Sequence, residues 1–366
     1  MSSYKNSILA ISVGVLVTAC GDTPNEVSCA PTEQGITPIC GFLGPEDLES
    51  IPGKDALLAS GFTMYDAEAN GDIRVLDLTN NTNYTVFDET MLGRGTPPEE
   101  GWGSASCPGS PEKFAAHGLH LSQNDKGTLT LLAVNHTSRE AIEWFEVWEE
   151  ESRFKAEWRG CVVADNGLWL NDIVKMPDDG FVATHMIDKD QSATLIDMEP
   201  NSGIKTGFVV EWSNDQGWQQ IPGTEGSLPN GIQSSPDGKI LYVSHYTGHQ
   251  VVAIEKGSGT RLWTAKVKGA PDNLSITPDE QLLVATHQVP LKAIFEECAQ
   301  QAIEFCPLRF AVQKIDILSG KVQTIHESEG SPFGGATVAV QLKGDIFMGA
   351  FAGKRIGKIK ASAQTE

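Results

Sequence analysis

The stretch from Leu228 to His245, LPNGIQSSPDGKILYVSH, carries the pattern from which the fold is predicted. Its Ser-Pro-Asp-Gly segment is typical of a tight turn, and the β-branched and aromatic run from Ile240 to Val243 is typical of a strand packed in a sheet. The stretch therefore predicts a strand, a turn and a second strand, with the polar residue Asn230 near the start of the first strand.

Similar stretches recur along the chain, each with a polar residue, a turn and a second apolar run. They lie at residues 45–61, 116–136, 170–185, 228–245, 271–287 and, more weakly, 334–351. Each copy has room for a unit of four strands with variable outer loops, which is typical of a propeller rather than of a doubly wound sheet. The repeat predicts an all-β fold, a six-bladed β-propeller over residues 44–366.

The innermost strands of a propeller line its central channel, so residues at the same position of each copy should form a ring at one mouth. Carboxylate and amide oxygens that converge from several strands suit Ca²⁺, which takes about 6 to 8 oxygen ligands. The repeat therefore predicts a calcium site on the propeller axis. The ring would contain Glu46, Asp47, His117, Asn171, Asp172, Asn230, Asp272 and Asn273.

The composition is that of an acidic globular protein. The chain has 366 residues, of which 40% are hydrophobic, and its formal net charge is −21. Phosphate binding requires clustered Lys and Arg, so this charge argues against a nucleic acid partner. We expect one large domain, a monomer, whose partner is a small molecule.

Residues 1–19 have the features of a targeting segment. Lys5 precedes the apolar stretch from Ile8 to Val17, which is too short to span a bilayer. The sequence Val-Thr-Ala-Cys at 17–20 resembles the lipobox of bacterial lipoproteins. This predicts a lipoprotein signal peptide that ends at residue 19.

The lipobox resemblance implies that Cys20 becomes the lipidated N-terminus and that residues 20–43 form a tether and connecting loop. It implies a protein of the bacterial cell envelope that contacts the membrane only through this anchor. Because Gly21 rather than Asp follows the cysteine, the periplasmic side of the outer membrane is favoured. An ordinary signal peptide with an incidental cysteine is the alternative.

The remaining cysteines form an even set, and export would place them in an oxidising compartment, so disulfides are expected. Many pairings are possible. Loop closure favours Cys29 with Cys40, Cys107 with Cys161, and Cys298 with Cys306. Zinc binding is the alternative, but no CxxC spacing supports it.

One segment departs from the strand pattern. Residues 291–305, LKAIFEECAQQAIEF, combine helical spacing of apolar residues with Ala, Glu and Gln, and they predict a short helical insert. The insert closely follows His287. It either covers the channel mouth or decorates the surface.

Two histidines stand at opposite ends of one predicted hairpin, His117 in Ala-His-Gly and His136 in Val-Asn-His. A strand in each direction would return them to the same rim, where they could touch. A neutral imidazole can take a proton from water, and a second one can orient it or relay the proton. A structural role for both is the alternative.

A series of ordered motifs, PEDLE, AHG, VNH, LNDIV, PNGI, DNLS and GGATVAV, resembles the paraoxonase/arylesterase family over residues 44–358. That family belongs to a wider group of six-bladed calcium propellers with gluconolactonases and strictosidine-synthase-like proteins. The resemblance implies a calcium-dependent hydrolase of lactones or aryl esters, with His117 and His136 as its catalytic pair.

The resemblance also implies two calcium ions. The catalytic calcium would be held by Glu46, Asn171, Asn230, Asp272 and Asn273. The structural calcium would be held by Asp47, Asp172 and the main-chain carbonyl of Leu119.

The chain departs from the mammalian members, which keep an uncleaved N-terminal segment and join the chain ends by a disulfide. Here no cysteine follows Cys306, so closure of the ring must depend on strand pairing. Residues 88–112 and 288–308 do not match the family's substrate-covering elements, so substrate range does not transfer. The alternative functions are a sugar lactonase that uses calcium without the histidine pair and a non-catalytic, lipid-anchored ligand-binding propeller.

Overall fold

The computed structural model describes Cys29 and residues 35–62, 71–93, 95–165, 167–191, 194, 198, 200–201, 203–298 and 303–361. The predicted signal peptide and Cys20 lie outside the described residues. Within the described ranges, no helix has the length and apolar character needed to cross a membrane.

The described strands form six antiparallel sheets of four strands each, arranged as the blades of the predicted propeller. Strand β1, Thr37–Cys40, comes first in the chain but belongs to the last blade. The first two blades contain β2 Leu48–Ser50, β3 Ala56–Ser60, β4 Asp72–Asp77, β5 Thr82–Asp88, and then β6 Ala116–Gln123, β7 Leu129–Asn135, β8 Ala141–Glu150 and β9 Arg153–Val163.

The remaining blades follow the same order. The third and fourth contain β10 Leu170–Lys175, β11 Phe181–His185, β12 Phe208–Ser213, β13 Gly217–Gln220, and then β14 Pro229–Ser234, β15 Ile240–His245, β16 Gln250–Glu255 and β17 Thr260–Lys266. The fifth and sixth contain β18 Ala270–Ile276, β19 Gln281–His287, β20 Phe310–Asp316, β21 Val322–Ser328, and then β22 Ala336–Leu342, β23 Asp345–Ala350 and β24 Arg355–Lys360 with β1. A 3-10 helix spans Glu89–Met91, and the α-helix α1 spans Leu291–Cys298 within the predicted helical insert.

Residues 228–245 form β14, a turn and β15, as expected. At the turn between them, the Gly238 N–H donates to the Ser235 carbonyl over 2.8 Å, and Gly238 has a φ of 70°. Glycine adopts this left-handed conformation without steric cost, which explains its place in the turn. Side chains reinforce the turn, because the Ser235 hydroxyl donates to the Asp237 carboxylate over 2.7 Å.

The ring is closed by strand pairing, as predicted. Strand β1 pairs antiparallel with β24, with Thr37 opposite Lys358 and Cys40 opposite Arg355. Strand β1 lies inside the segment 20–43 that was predicted to be a tether and connecting loop, so the propeller begins before residue 44. A disulfide to Cys29 holds the end of this strand.

The hydrophobic core lies between the blades. Among the described residues, six apolar clusters fill the six interfaces between neighbouring sheets, and a seventh lies beneath α1. Between the first two blades, for example, Phe87 and Phe145 meet edge to face with ring centroids 4.7 Å apart. Burial of such aromatic side chains stabilises the fold by roughly 1.5–3 kcal/mol each, so every interface helps to fix the position of its inner strands.

The three predicted cysteine pairings are present. The disulfides are Cys29–Cys40, Cys107–Cys161 and Cys298–Cys306. The second of these ties the long connection before β6 to strand β9. The third joins the end of α1 to the segment that leads into β20.

Candidate active site

A cavity of about 350 Å³ opens at one mouth of the channel. Its floor is polar and is formed by members of the predicted ring together with Thr337 of the sixth blade, whereas its walls are mainly apolar and aromatic. The floor residues are Glu46, His117, Asn171, Asn230, Asp272 and Thr337. The aromatic wall residues are Phe62, Trp169, Tyr246, Phe295 and Phe351.

The backbone of the inner strands explains why these side chains face the axis. In each blade from the second to the sixth, the pairing of the first two strands skips residues at the ring position. In β14, for example, Pro229 and Ile232 are paired and Asn230 and Gly231 are not. Such bulges redirect side chains out of the regular alternation. The repeated polar position is therefore a repeated bulge.

Small residues let the bulges approach one another. A Cβ atom on Gly118 would lie 2.5 Å from the main-chain oxygen of Asn171 and 2.7 Å from the Cα atom of Asp172. Only glycine permits this contact between the second and third blades. Across the ring, the Asn273 side-chain amide donates to the Glu46 carboxylate over 2.9 Å and links the fifth blade to the first.

Four buried oxygens of the ring have no hydrogen-bond partner. They are Glu46 Oε2, Asn171 Oδ1, Asn230 Oδ1 and Asn273 Oδ1. An unpaired buried polar atom costs free energy, so a set of acceptors that converge from four blades suits a hard cation. Together with the Asp272 carboxylate they are the five residues predicted to hold the catalytic calcium, and their chemistry fits that ion.

The electrostatics of the floor point the same way. Burial raises the pKa of Asp272 to about 8, although a hydrogen bond with Asn230 opposes the shift. Burial and the charges of Asp272 and Asp172 raise the pKa of Glu46 well above its ordinary value. Among the described residues, no group of three His, Cys, Asp or Glu side chains forms a metal site by itself. The predicted set is different, since three of its five members are asparagines.

The second predicted set, Asp47, Asp172 and Leu119, is already hydrogen-bonded. The Leu119 N–H donates to Asp47 Oδ2 over 2.7 Å, and the Ile232 N–H donates to Asp172 Oδ2 over 2.7 Å. The other oxygen of each carboxylate accepts from the N–H of the next residue, Leu48 or Ile173. These carboxylates therefore link the first blade to the second and the third to the fourth, and a structural calcium beside them remains a prediction.

The structure brings the two predicted histidines together. His117 Nδ1 lies 2.8 Å from His136 Nε2, and Phe62 stacks on the His117 ring with centroids 4.2 Å apart. His117 Nε2 lies 3.7 Å from Glu46 Oε1. Burial, and repulsion from His136 when that ring is protonated, lower the pKa of His117 well below its ordinary value, so at neutral pH its imidazole is unprotonated and able to accept a proton.

Sequence reasoning missed Glu140, which lies 2.9 Å from His136 Nδ1. It stands four residues after His136, in the turn between β7 and β8. A carboxylate at this short distance in the sequence is the signal that could have identified it. Burial would raise the pKa of Glu140, but His136, the Leu170 N–H and Lys189 outweigh burial and hold it below its ordinary value.

Sequence reasoning also left the cavity wall undefined. Leu291, Ile294 and Phe295 of α1 line the cavity, so the helical insert covers the mouth rather than decorating the surface. On the facing wall, the Tyr246 hydroxyl lies 2.7 Å from His287 Nδ1, and His287 Nδ1 lies 3.6 Å from the Asp272 carboxylate.

Comparison with known proteins gives a family match over nearly the whole propeller. The model of the arylesterase family matches residues 42–356. Human serum paraoxonase/arylesterase 1 is 26% identical over 320 residues, which cover 84% of this chain and 83% of that protein. Serum paraoxonase/arylesterase 2 of Gallus gallus is 24% identical over 318 residues, with the same coverage of 84% and 83%.

Solved structures show the same fold with different activities. A gluconolactonase from Xanthomonas campestris has a TM-score of 0.51 at 14% identity, and the match covers 89% of each chain. The PQQ-bound aldose sugar dehydrogenase from Streptomyces coelicolor also has a TM-score of 0.51, at 11% identity, and the match covers 89% of this chain and 97% of that one. Because a lactonase and a dehydrogenase match equally well, these likenesses support the propeller and leave the chemistry to the site.

Proposed function

Because this chain belongs to the arylesterase family, a family of ester hydrolases, we propose that it hydrolyses lactones or aryl esters in the cavity above the axial ring, with the help of Ca²⁺. The single observation that carries the proposal is the His117–His136 contact beside the four unpartnered ring oxygens. A proton acceptor, His117, and a candidate cation site therefore lie next to each other at the floor of the cavity.

The residues that would hold the ion are Glu46, Asn171, Asn230, Asp272 and Asn273. When bound there, Ca²⁺ supplies an electrophile that polarises a carbonyl and offsets the negative charge that develops on its oxygen. The protein contributes rigid ligands, since the bulges that carry them are packed between blades.

His117 acts as the general base in this proposal. Its Nδ1 atom is engaged with His136, so its Nε2 atom is the one that can take a proton from a water molecule in the cavity. Phe62 stacks on the imidazole and holds its plane. His136 assists by orienting the ring and by sharing the proton.

The walls favour apolar substituents on the substrate. Trp169, Phe295 and Phe351 surround a space of about 350 Å³, which suits the aryl or alkyl part of a small ester. A sugar lactone would leave its hydroxyl groups against these side chains without hydrogen-bond partners, which is unfavourable. We therefore place the sugar lactonase second.

A hydrolysis screen tests the proposal. Phenyl acetate, aliphatic lactones, acyl-homoserine lactones and sugar lactones are each offered to the wild type with calcium and with a chelator. We expect turnover of an apolar ester or lactone that the chelator abolishes. Calcium-loaded protein that turns over none of the four classes would contradict the proposal and favour a ligand-binding propeller.

We also propose that Cys20 carries the lipid anchor of a cell-envelope protein. The support is the Val-Thr-Ala-Cys sequence at residues 17–20.

A further inference from the structure

The turn between β7 and β8 places a carboxylate behind the histidine pair. Both Glu140 oxygens lie 2.9 Å from His136 Nδ1, and Oε2 also lies 3.1 Å from Lys189 Nζ. The other oxygen, Oε1, accepts the Leu170 N–H over 2.8 Å. The Glu140 side chain is only 10% exposed, so these contacts fix its orientation.

These contacts determine which atom donates in each hydrogen bond of the row that Glu140, His136 and His117 form. An ionised carboxylate only accepts, so the proton between Glu140 and His136 must sit on His136 Nδ1. His136 Nε2 then has a lone pair, and the bond from His117 requires the proton on His117 Nδ1. His117 Nε2 is left unprotonated at the cavity floor. The opposite direction would set a lone pair of His136 against the carboxylate.

We propose that Glu140 is a positioning residue that sets the tautomers of both histidines and so presents the basic Nε2 atom of His117 to the cavity. The consequence for the rate rests on the proposed function. When His117 Nε2 takes a proton from water, the proton on His117 Nδ1 can pass to His136 Nε2. The positive charge then lies on His136 next to the Glu140 carboxylate. When the ester bond breaks, His117 Nε2 gives the proton taken from water to the leaving alkoxide oxygen, and His136 returns its extra proton to His117 Nδ1.

The Glu140→Gln variant tests the direction of the row. The buried Leu170 N–H keeps the amide oxygen at the Oε1 position, so the NH₂ group takes the Oε2 position, and both lie close to His136 Nδ1. Lys189 prefers the opposite orientation, but its side chain is 53% exposed and can bind water instead. With a donor and an acceptor equally close, His136 Nδ1 no longer has to carry the proton. The hydrogen bonds can then reverse, which protonates His117 Nε2 in part of the molecules.

In kinetic terms, kcat should fall on the order of 10²-fold in Glu140→Gln, because the carboxylate that fixes the tautomers and offsets the charge on His136 is lost, while KM changes little. Glu140→Asp restores a carboxylate and should recover part of the loss. Asp188→Asn is the matched control, since it makes the same change beside His185, a histidine outside the lining of the cavity. It should leave kcat within about twofold, as expected for a residue remote from the reacting atoms.

The direct readout is the tautomer of each histidine, measured by ¹⁵N NMR of the calcium-supplemented wild type. We expect both His117 and His136 to carry the proton on Nδ1, and we expect a measurable fraction of it to move to Nε2 in Glu140→Gln. Wild-type histidines protonated on Nε2, or a folded Glu140→Gln variant with kcat within threefold of wild type, would overturn the inference. Nδ1-protonated histidines in a protein that hydrolyses no ester or lactone would refute the proposed function and leave the role of Glu140 intact.

Discussion

Calcium binding to the axial ring should release protons. In the calcium-free protein, burial raises the pKa of Asp272 to about 8, so this side chain is largely protonated at neutral pH. A carboxylate must be ionised to hold the ion, and binding therefore displaces its proton. Glu46 shares the environment, and its raised pKa adds to the effect.

The size of the effect follows from the shift at Asp272, from an ordinary value of 3.8 to about 8. Between these two values, a rise of one pH unit lowers the calcium Kd about tenfold for each proton displaced. This corresponds to about 1.4 kcal/mol of binding free energy. From pH 5 to pH 7 the Kd should thus fall about 100-fold for one proton. Without calcium, a rise in pH has the opposite effect and lowers the free energy of unfolding. A raised folded pKa contributes stability that is present below the unfolded value and lost as the pH rises, so the chelated protein weakens from about pH 4 to pH 8.

Titration calorimetry at pH 5, 6 and 7, in buffers with different ionisation enthalpies, measures both the Kd and the protons released. Asp272→Asn should reduce proton release, whereas Asp125→Asn, on an exposed turn, should not change it. Urea unfolding with calcium and with chelator should show a difference in free energy of unfolding that grows with pH. A calcium Kd equal at pH 5 and pH 7, with no proton release, would refute a carboxylate site on the axis.

Three further outcomes are expected. His117→Gln should keep calcium binding and lower kcat about 10²- to 10⁴-fold, and His136→Gln should cost less. Because burial holds the pKa of His117 well below its ordinary value, the wild-type rate at saturating calcium should hold at neutral pH and fall only at a more acidic pH than an ordinary histidine would give. A fully active His117 variant would favour a calcium-only sugar lactonase. Gly118→Ala should destabilise the fold by about 1–3 kcal/mol in urea unfolding, since its Cβ would meet the main chain of Asn171 at 2.5 Å, and an unchanged midpoint would contradict that contact. Cys20→Ser should release the protein from the membrane fraction or leave it unprocessed, and a freely soluble wild type would contradict lipidation.

The features that could be predicted from the sequence are those that local repetition encodes. A turn like the one after Ser234, and a polar residue at the position of Asn230, recur along the chain. The propeller and the ring could therefore be predicted from the spacing of these repeats. The contact between His117 and His136 followed from the length of one hairpin. The two histidines are separated by a single turn, and the geometry of a β-hairpin fixes where they meet. The ring residues belong to different blades, and the repeat of the blades places them around one axis.

The features that were missed depend on contacts between distant parts of the chain or on irregular backbone. Strand β1 has only four residues and contains Pro38, and its place at the outer edge of a blade comes from pairing with β24. The link from Asn273 to Glu46 exists because the ring closes, not because of any local pattern. Glu140 reaches His136 only in the particular turn that joins β7 and β8.

The pairing of β1 with β24 has a consequence for how the protein is made. Thr37 emerges early from the ribosome, and its partner Lys358 emerges almost last. Until then β1 has no partner and the sixth blade is incomplete. The ring therefore cannot close between the fifth and first blades. Long-range pairing of this kind slows folding. Until the ring closes, the exposed strand edges of the sixth blade can pair with other chains, so the open chain is prone to aggregate.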